Sequence, residues 1–283
     1  MPLVTSKEIL LDAQKGHYAI GAFNVENMEM VMAVLAAAEE QKSPVIMQTT
    51  PGTIKFAGVD FYFANVAAAA KRAKVPVVMH LDHGNSFSMA MSAFRAGYTS
   101  IMIDGSKLPF EDNIALTKSV VEACHAGNVP VEGELGKVGG KEDDLENEDE
   151  NPYTNPQEAK EFVERTGVDS LAIGIGTAHG IYRKEPKINL EVLDQISKIV
   201  DVPLVMHGTS GVPDNTVKDC ISRGICKVNY ATDLRIAFTK GVKEYMKENP
   251  DAFDPKKYAA LGMDEVKKYV MQKMEVMGSV GKA

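Results

Sequence analysis

The amino-acid sequence predicts a single-domain (β/α)₈ barrel over residues 1–283, with one additional helix before the barrel and one after it. Three observations predict this fold. Apolar runs of strand length alternate with amphipathic helical segments, the alternation occurs eight times without a break in composition, and polar residues stand at the carboxyl ends of six runs. Runs that are apolar on both faces are typical of buried parallel strands, and regular βα succession is typical of an α/β barrel.

The eight predicted strands are rich in Val and Ile. They are Tyr18–Asn24, Pro44–Thr50, Pro76–Asp82, Thr99–Asp104, Pro130–Gly136, Ser170–Ile175, Pro203–Gly208 and Lys227–Thr232. The segments Glu26–Gln41, Asn189–Val200 and Thr232–Glu248 between strands carry apolar residues at the spacing of one helix face. A capping-box pattern, Thr5-Ser6-Lys7-Glu8, predicts the first extra helix over Thr5–Lys15, and the last is predicted over Met263–Met277.

Composition excludes several classes of function. The chain has 31 basic and 39 acidic residues, a formal charge of −8, which argues against nucleic acids and anionic membranes as general partners. No apolar stretch reaches the ~20 residues that span a bilayer, and no signal peptide opens the chain. Three irregularly spaced cysteines, Cys124, Cys220 and Cys226, do not make a disulfide framework. We therefore expect a cytoplasmic protein.

Three histidines share one local pattern, because His83, His179 and His207 each follow a short apolar run and precede a glycine. At the carboxyl ends of separate strands they would meet at one rim of the barrel, where the active sites of such barrels lie. Neutral imidazoles are the commonest zinc ligands, and three protein ligands leave a fourth position for a substrate oxygen. The pattern predicts a catalytic metal site. The remaining histidines lack these features and are expected to be structural: His17, His80 and His125.

Four carboxylates are candidates for roles around this metal. Asp104 and Glu134 also end predicted strands, and we expect them to accept hydrogen bonds from the ligating rings or to offer an alternative position for the ion. Asp82 adjoins the first ligand, and Glu142 follows the glycines of an unusually long connection between Gly136 and Pro156. Because long loops in compact domains are often functional lids, Asp82 and Glu142 are the candidates for two separate proton transfers.

Two glycine- and hydroxyl-rich segments predict an anion site. Gly208–Gly211 follows the seventh predicted strand, and Asn229–Thr232 closes the eighth, where barrels commonly arrange backbone amides around a phosphate. Arg183 or Lys184 would add local positive charge that the composition does not supply. An anion site beside a metal suggests a phosphorylated sugar or triose as the substrate.

The residues named so far resemble those of the class II, metal-dependent ketose-bisphosphate aldolases, and within them the tagatose-1,6-bisphosphate aldolases. The resemblance spans nearly the whole chain. Its motifs are Gly21-Ala22-Phe23-Asn24, Gln48-Thr49-Thr50-Pro51-Gly52-Thr53, His80-Leu81-Asp82-His83-Gly84, Met102-Ile103-Asp104-Gly105-Ser106, Glu132-Gly133-Glu134-Leu135-Gly136 with Gly139-Gly140, Gly176-Thr177-Ala178-His179-Gly180, and Gly278-Ser279.

The resemblance implies reversible cleavage of a ketose 1,6-bisphosphate into dihydroxyacetone phosphate and glyceraldehyde 3-phosphate. One zinc ion would be held by His83, His179 and His207 and would stabilise an enediolate, without a Schiff-base lysine. Asp82 would handle the hydroxyl proton at C4 of the ketose, and Glu142 would exchange the proton at C3 of the triose. A Na⁺ or K⁺ ion would assist at the phosphate, and we expect a homodimer or homotetramer. The expected substrate- and phosphate-binding residues are Asn24, Gly180, Lys184, Gly208, Thr209, Ser210, Asn229, Tyr230, Ala231 and Thr232.

Departures from the wider family pattern favour tagatose over fructose 1,6-bisphosphate. Lys141 precedes Glu142 where fructose enzymes often have another residue, Tyr230 replaces a small aliphatic residue, and Ala231 stands where some fructose enzymes carry an acid. The fructose enzyme of glycolysis and gluconeogenesis is the first alternative. A non-catalytic partner subunit would not need these histidines and carboxylates, and a zinc barrel hydrolase would normally show a His-x-His pair, which the chain lacks.

Overall fold

The computed structural model of the protein describes residues 3–142, 145–147, 153–182 and 186–283, with backbone alone at 140–142 and 145–147. Its strands are β1 (Ile20–Asn24), β2 (Val45–Thr49), β3 (Val77–Gly84), β4 (Ser100–Ile103), β5 (Val131–Leu135), β6 (Gly139–Glu142), β7 (Leu145–Asn147), β8 (Ser170–Ile173), β9 (Ala178–His179), β10 (Leu204–Met206) and β11 (Ile225–Tyr230). Eight of them close into a parallel barrel in the order β1-β11-β10-β8-β5-β4-β3-β2. The predicted (β/α)₈ barrel is confirmed.

Helices follow the barrel strands and cover the outside of the barrel. They are α1 (Ser6–Gly16), α2 (Met28–Gln41), α3 (Pro51–Ala57), α4 (Val59–Ala70), α5 (Phe87–Ala96), α6 (Phe110–His125), α7 (Pro156–Thr166), α8 (Leu190–Ser197), α9 (Asp214–Ser222), α10 (Thr232–Glu248) and α11 (Pro255–Met277). The main apolar core lies between these helices and the barrel wall. Among the residues that the structure describes, no helix is long and apolar enough to cross a membrane.

The two additional helices are present at both ends of the chain. Helix α1 contacts the barrel wall: the Ser6 and Ser100 hydroxyls lie 2.8 Å apart, and Lys7 pairs with Asp169. The capping box predicted at its start is wrong, because the side chain of Thr5 makes no capping hydrogen bond. Helix α11 begins at Pro255, earlier than predicted, because the carboxylate of the preceding residue accepts from the amide of Lys256.

The long connection after β5 contains a small sheet. Strand β6 pairs antiparallel with β7, with Gly140 opposite Asn147, and pairs parallel with β9, with Gly140 opposite His179. The sequence suggested a glycine-based loop in this region. The structure instead attaches the first part of the connection to the strand that carries a predicted metal ligand.

Polar residues occupy alternate positions on three barrel strands and are buried. They are His80 and Asp82 on β3, Glu132 and Glu134 on β5, and Lys227 and Asn229 on β11. Because side chains two residues apart share one face of a strand, each pair projects to the same side of the sheet. Contacts between residues of different strands, such as Asn229 with Asp82 and Lys227 with Glu132, place that side inside the barrel.

Candidate active site

The three predicted metal ligands converge at one end of the barrel. One nitrogen from each of His83, His179 and His207 lies within 4.8 Å of the other two. The ring centroids are 4.6 Å apart for His83 and His207, 5.0 Å for His83 and His179, and 6.1 Å for His179 and His207. His83 has a left-handed backbone conformation, with φ of 50°, at a shift in the pairing of β3 with β4. Such strain at a non-glycine residue is typical of functional sites.

Carboxylates hold the outer nitrogens of two of these rings. Nδ1 of His83 lies 2.9 Å from Asp104, and Nε2 of His207 lies 3.0 Å from Glu132. Since a carboxylate accepts hydrogen bonds, a proton on each of these nitrogens would leave the lone pairs of the two opposite nitrogens available to a metal. Those two, Nε2 of His83 and Nδ1 of His207, are 2.8 Å apart. Burial lowers the pKa of His207 despite the contact with Glu132, which favours the neutral ring that a metal needs. The donor set fits a divalent cation.

Asp104 and Glu134 lie beside the histidine cluster in different electrostatic environments. Burial alone would raise the pKa of Asp104, but hydrogen bonds from His83 and the amide of Ser106 hold that pKa below its ordinary value. Burial and the neighbouring Asp104 raise the pKa of Glu134 well above the ordinary value. Oε2 of Glu134, 3.6 Å from Nδ1 of His83, has no hydrogen-bond partner among the described residues. His83, Asp104 and Glu134 also form a second group whose atoms lie close enough to hold an ion.

Asp82 is buried inside the barrel and fixed by three side-chain amides. Its Oδ2 accepts from Asn24 at 3.0 Å and from Gln48 at 3.1 Å, and its Oδ1 accepts from Asn229 at 3.1 Å. The amide nitrogen of Asn229 also lies 3.2 Å from Nε2 of His207. The carboxylate is therefore held rigidly, one side chain away from the histidine cluster.

A small cavity adjoins the cluster. Its lining residues are His179, Gly180, Gly208, Thr209, Ser210, Asn229, Ala231 and Thr232. Gly208 has a φ of 61°, and a Cβ there would come within 2.7 Å of the backbone of Ala178, so this loop passes closely over β9. Helix α10 begins at Thr232, so the partial positive charge of its amino terminus lies at the cavity wall. The cavity has the character of an anion site.

The other predicted substrate contacts lie elsewhere. Asn24 is not among the residues that line the cavity, and its side-chain amide donates to Asp82. The Tyr230 ring is buried away from the cavity, stacked on Phe23 at 5.9 Å and edge-on to Tyr269 at 5.9 Å. The side chain of Tyr230 therefore does not line the cavity, because Asn229 faces the barrel interior and its neighbour on the strand must face outward.

Glu142 is the last residue of β6. Gly140 of this strand pairs with His179, a predicted metal ligand. Glu142 therefore lies two residues farther along β6 from the position opposite His179. The predicted basic residues Arg183 and Lys184 lie outside the described residues.

Three buried polar side chains that contact the candidate site were not singled out from the sequence. Glu132, Lys227 and Gln48 lie within strands rather than at their ends and are completely or almost completely buried. A signal for two of them was present, because Glu132 precedes Glu134 by two residues and Lys227 precedes Asn229 by two. A charged residue two positions from a site residue on the same strand projects from the same face of that strand. When it lies inside an apolar run, it is expected to be buried and paired with an opposite charge.

Comparisons with known proteins agree with this geometry. The family described as class II fructose-bisphosphate aldolase matches residues 4–282. The crystal structure of the YdjI aldolase from Escherichia coli K12 is 39% identical, with a TM-score of 0.88 and 99% of each chain covered. A putative fructose-1,6-bisphosphate aldolase from Coccidioides immitis is 30% identical, with a TM-score of 0.88, and covers 97% of this chain and 96% of its own.

A third structure, the fructose-bisphosphate aldolase of Campylobacter jejuni, is 26% identical, with a TM-score of 0.84, and covers 100% of this chain and 97% of its own. The three solved structures and the family match span the barrel from end to end. The chain therefore belongs to the class II fructose-bisphosphate aldolases, which are metal-dependent carbon–carbon lyases.

Proposed function

We propose that the protein reversibly cleaves a ketose 1,6-bisphosphate, preferably tagatose 1,6-bisphosphate, into dihydroxyacetone phosphate and glyceraldehyde 3-phosphate. One observation carries the proposal: His179 belongs both to the histidine cluster and to the wall of the anion cavity. A substrate whose phosphate occupies the cavity therefore places its neighbouring carbons beside the cluster.

The phosphate of the triose half would bind in the cavity. The cavity is lined by glycines and hydroxyl-bearing residues, and the start of α10 favours negative charge there; the residues are Gly180, Gly208, Thr209, Ser210 and Thr232. In this proposal a Na⁺ or K⁺ ion accompanies the phosphate, and Lys184 or Arg183 supplies a direct cationic contact. The positive charge that attracts the phosphate is supplied locally by these groups, because the protein as a whole has a formal charge of −8.

His83, His179 and His207 would hold one Zn²⁺ ion. A bound zinc ion acts as a Lewis acid that polarises a substrate carbonyl and offsets the negative charge that develops on its oxygen. The protein prepares this site by orienting His83 through Asp104 and His207 through Glu132.

Proton transfer is divided between two carboxylates in the proposal. Asp82 takes the proton of the C4 hydroxyl in cleavage and returns it in condensation, and its three amide donors aim the carboxylate. Glu142, carried by β6 beside β9, exchanges the proton at C3 of the triose. Because the two carboxylates occupy separate positions, Asp82 can act on the C4 hydroxyl while Glu142 acts on C3.

The preference for tagatose over fructose rests on residues near the cavity. Ala231 lines the cavity with a methyl group where some fructose enzymes carry an acid, and Lys141 and Tyr230 depart from the same pattern. Cleavage rates of the two bisphosphates, measured side by side on the purified zinc-loaded chain, test the assignment. We expect a higher kcat/KM for tagatose 1,6-bisphosphate. A higher value for fructose 1,6-bisphosphate would replace it with the glycolytic assignment.

The assembly and location of the enzyme are further parts of the proposal. We propose a cytoplasmic homodimer or homotetramer that is active without another type of subunit. Light scattering coupled to size exclusion gives the number of chains, and triose phosphate release by the purified chain tests independence. Activity only after addition of a second aldolase chain would instead identify a partner subunit.

A further inference from the structure

We propose that Glu132 and Lys227 are positioning residues that fix the ring orientation and tautomer of His207, so that Nδ1 rather than Nε2 faces the histidine cluster. The two residues form a buried ion pair beside His207, and their proposed role rests on the metal-dependent function proposed above. Neither residue would touch the substrate.

The pair is enclosed in the barrel and is in contact with His207. Glu132 on β5 and Lys227 on β11 have relative exposures of 1% and 0%, and His207 has 0%. Nζ of Lys227 lies 2.9 Å from Oε2 and 3.2 Å from Oε1 of Glu132, so it binds both oxygens. Oε1 also lies 3.0 Å from Nε2 of His207. The order of contacts is therefore lysine, carboxylate, imidazole.

This order determines which imidazole nitrogen carries the proton. A neutral imidazole has one N–H donor and one lone pair, and a carboxylate can only accept. Glu132 therefore selects the tautomer with hydrogen on Nε2 and leaves the lone pair of Nδ1 directed at Nε2 of His83, 2.8 Å away. Lys227 fixes both oxygens of the carboxylate and offsets the cost of burying its charge. Without the pair, the ring could turn over and present the other nitrogen.

Neighbouring groups do not replace this contact. The amide nitrogen of Asn229 lies 3.2 Å from Nε2 of His207 and donates to Asp82, but an amide nitrogen is only a donor and cannot accept a proton from the ring. Nε2 of His80 is 3.8 Å from Glu132, beyond hydrogen-bond distance, and Nδ1 of that ring is bound to Ser100. Oε2 of Glu134 lies 3.8 Å from the opposite nitrogen, Nδ1 of His207, beyond hydrogen-bond distance. Glu132 is thus the carboxylate within hydrogen-bond distance of Nε2, and charge-assisted hydrogen bonds of this kind are stronger than neutral ones.

The chain offers a matched control outside the histidine cluster. Asp169 accepts from Nε2 of His125 at 2.7 Å and pairs with Nζ of Lys7 at 2.8 Å. It immediately precedes β8, so it lies at the amino end of the barrel. It repeats the lysine, carboxylate and imidazole arrangement beside a histidine that is not a metal ligand.

Zinc affinity of the metal-free protein tests the proposal without an activity assay. Competition with a chromophoric chelator would compare the wild type with Glu132→Leu/Lys227→Met, Glu132→Gln/Lys227→Met and the control Asp169→Asn/Lys7→Met. We expect the Leu/Met variant to bind zinc about 10–100-fold more weakly. The Gln/Met variant, which keeps an oxygen acceptor and leaves no unpaired charge, should lose less, and the control should match the wild type. An unchanged affinity in the Leu/Met variant would overturn the proposal.

A second measurement needs no substitution. In ¹⁵N-histidine-labelled metal-free wild-type protein, the long-range ¹⁵N–¹H spectrum distinguishes the two imidazole tautomers. We expect His207 to be protonated on Nε2, and protonation on Nδ1 would overturn the proposal even if no variant folds. Triose phosphate release by the zinc-loaded wild type is assayed separately, so loss of the proposed activity would be distinguished from loss of this positioning role.

Discussion

Nδ1 of His207 lies 2.8 Å from Nε2 of His83, although each ring directs its other nitrogen to a different carboxylate, Glu132 or Asp104. With the ring protons on the carboxylate side, as proposed, two lone pairs face each other here, and a shared cation would convert their repulsion into attraction. The carboxylates that orient the two rings are therefore expected to affect how well the cluster binds a metal.

Removal of the carboxylate beside His83 is expected to weaken metal binding. Asp104→Ala leaves Nδ1 of that ring without its acceptor, so zinc affinity should fall about 10–100-fold, and excess zinc should restore much of the activity. Chelator competition and activity against added zinc measure both effects. Asp169→Asn, which alters a carboxylate beside His125, is the control. Equal zinc affinity in Asp104→Ala and the wild type would show that Asp104 does not support the ligand.

Asp82→Ala is expected to separate metal binding from catalysis. The side chain is held by Asn24, Gln48 and Asn229 and makes no contact with a metal-ligating nitrogen in the described hydrogen bonds, so zinc content should remain at one ion per chain. Loss of a general acid–base group should lower kcat by about 10²–10⁴. Zinc analysis and coupled triose phosphate release measure the two quantities. Turnover within a few-fold of the wild type would remove Asp82 from the proton transfer.

Gly208→Ala is expected to damage the phosphate cavity. Gly208 has a φ of 61°, and an added Cβ would meet the backbone of Ala178, which cannot move away easily. KM for the bisphosphate should rise, and the substitution should cost more than the about 1 kcal/mol of backbone strain expected for alanine at positive φ. Gly281→Ala is the matched control, because its φ is 73° and a Cβ there meets nothing within 4 Å. Equal effects on stability and KM would contradict the close approach.

The ion pair at the amino end of the barrel should make stability depend on pH. Burial alone would raise the pKa of Asp169, but hydrogen bonds from Lys7, the Val131 amide and His125 lower it below the ordinary 3.8. Because the folded state favours the ionised carboxylate, its stabilisation is present above pH 3.8 and is lost as pH falls through the lower folded-state pKa. Asp169→Asn should therefore be less stable than the wild type at neutral pH, and the difference should shrink in acid. Urea unfolding at several pH values measures it, and a difference independent of pH would contradict this account.

The sequence predicted the barrel and the metal ligands because both leave local signals. His83, His179 and His207 end apolar runs, and parallel strands carry their carboxyl ends to one rim. Glu132 and Lys227 leave a weaker signal, since each lies inside a strand and is explained only by a partner on another strand.

Other differences between expectation and structure arise from contacts between residues that are far apart in the sequence. The pairing of β6 with β9 joins Gly140 to His179, and no local pattern indicates it. The position of Tyr230 was predictable in principle, because strand alternation turns its ring outward when Asn229 faces inward. Strand alternation, applied at the end of β11, would have placed the ring of Tyr230 outside the cavity.

Dependence of aldol cleavage on zinc tests the central claim most directly. The purified chain is stripped of metal with a chelator and titrated with zinc while cleavage of tagatose 1,6-bisphosphate is followed. If His83, His179 and His207 share one ion at the rim of the barrel, activity is abolished by metal removal and returns in full at one zinc per chain. Cleavage that persists at its original rate after complete removal of the metal would contradict the account.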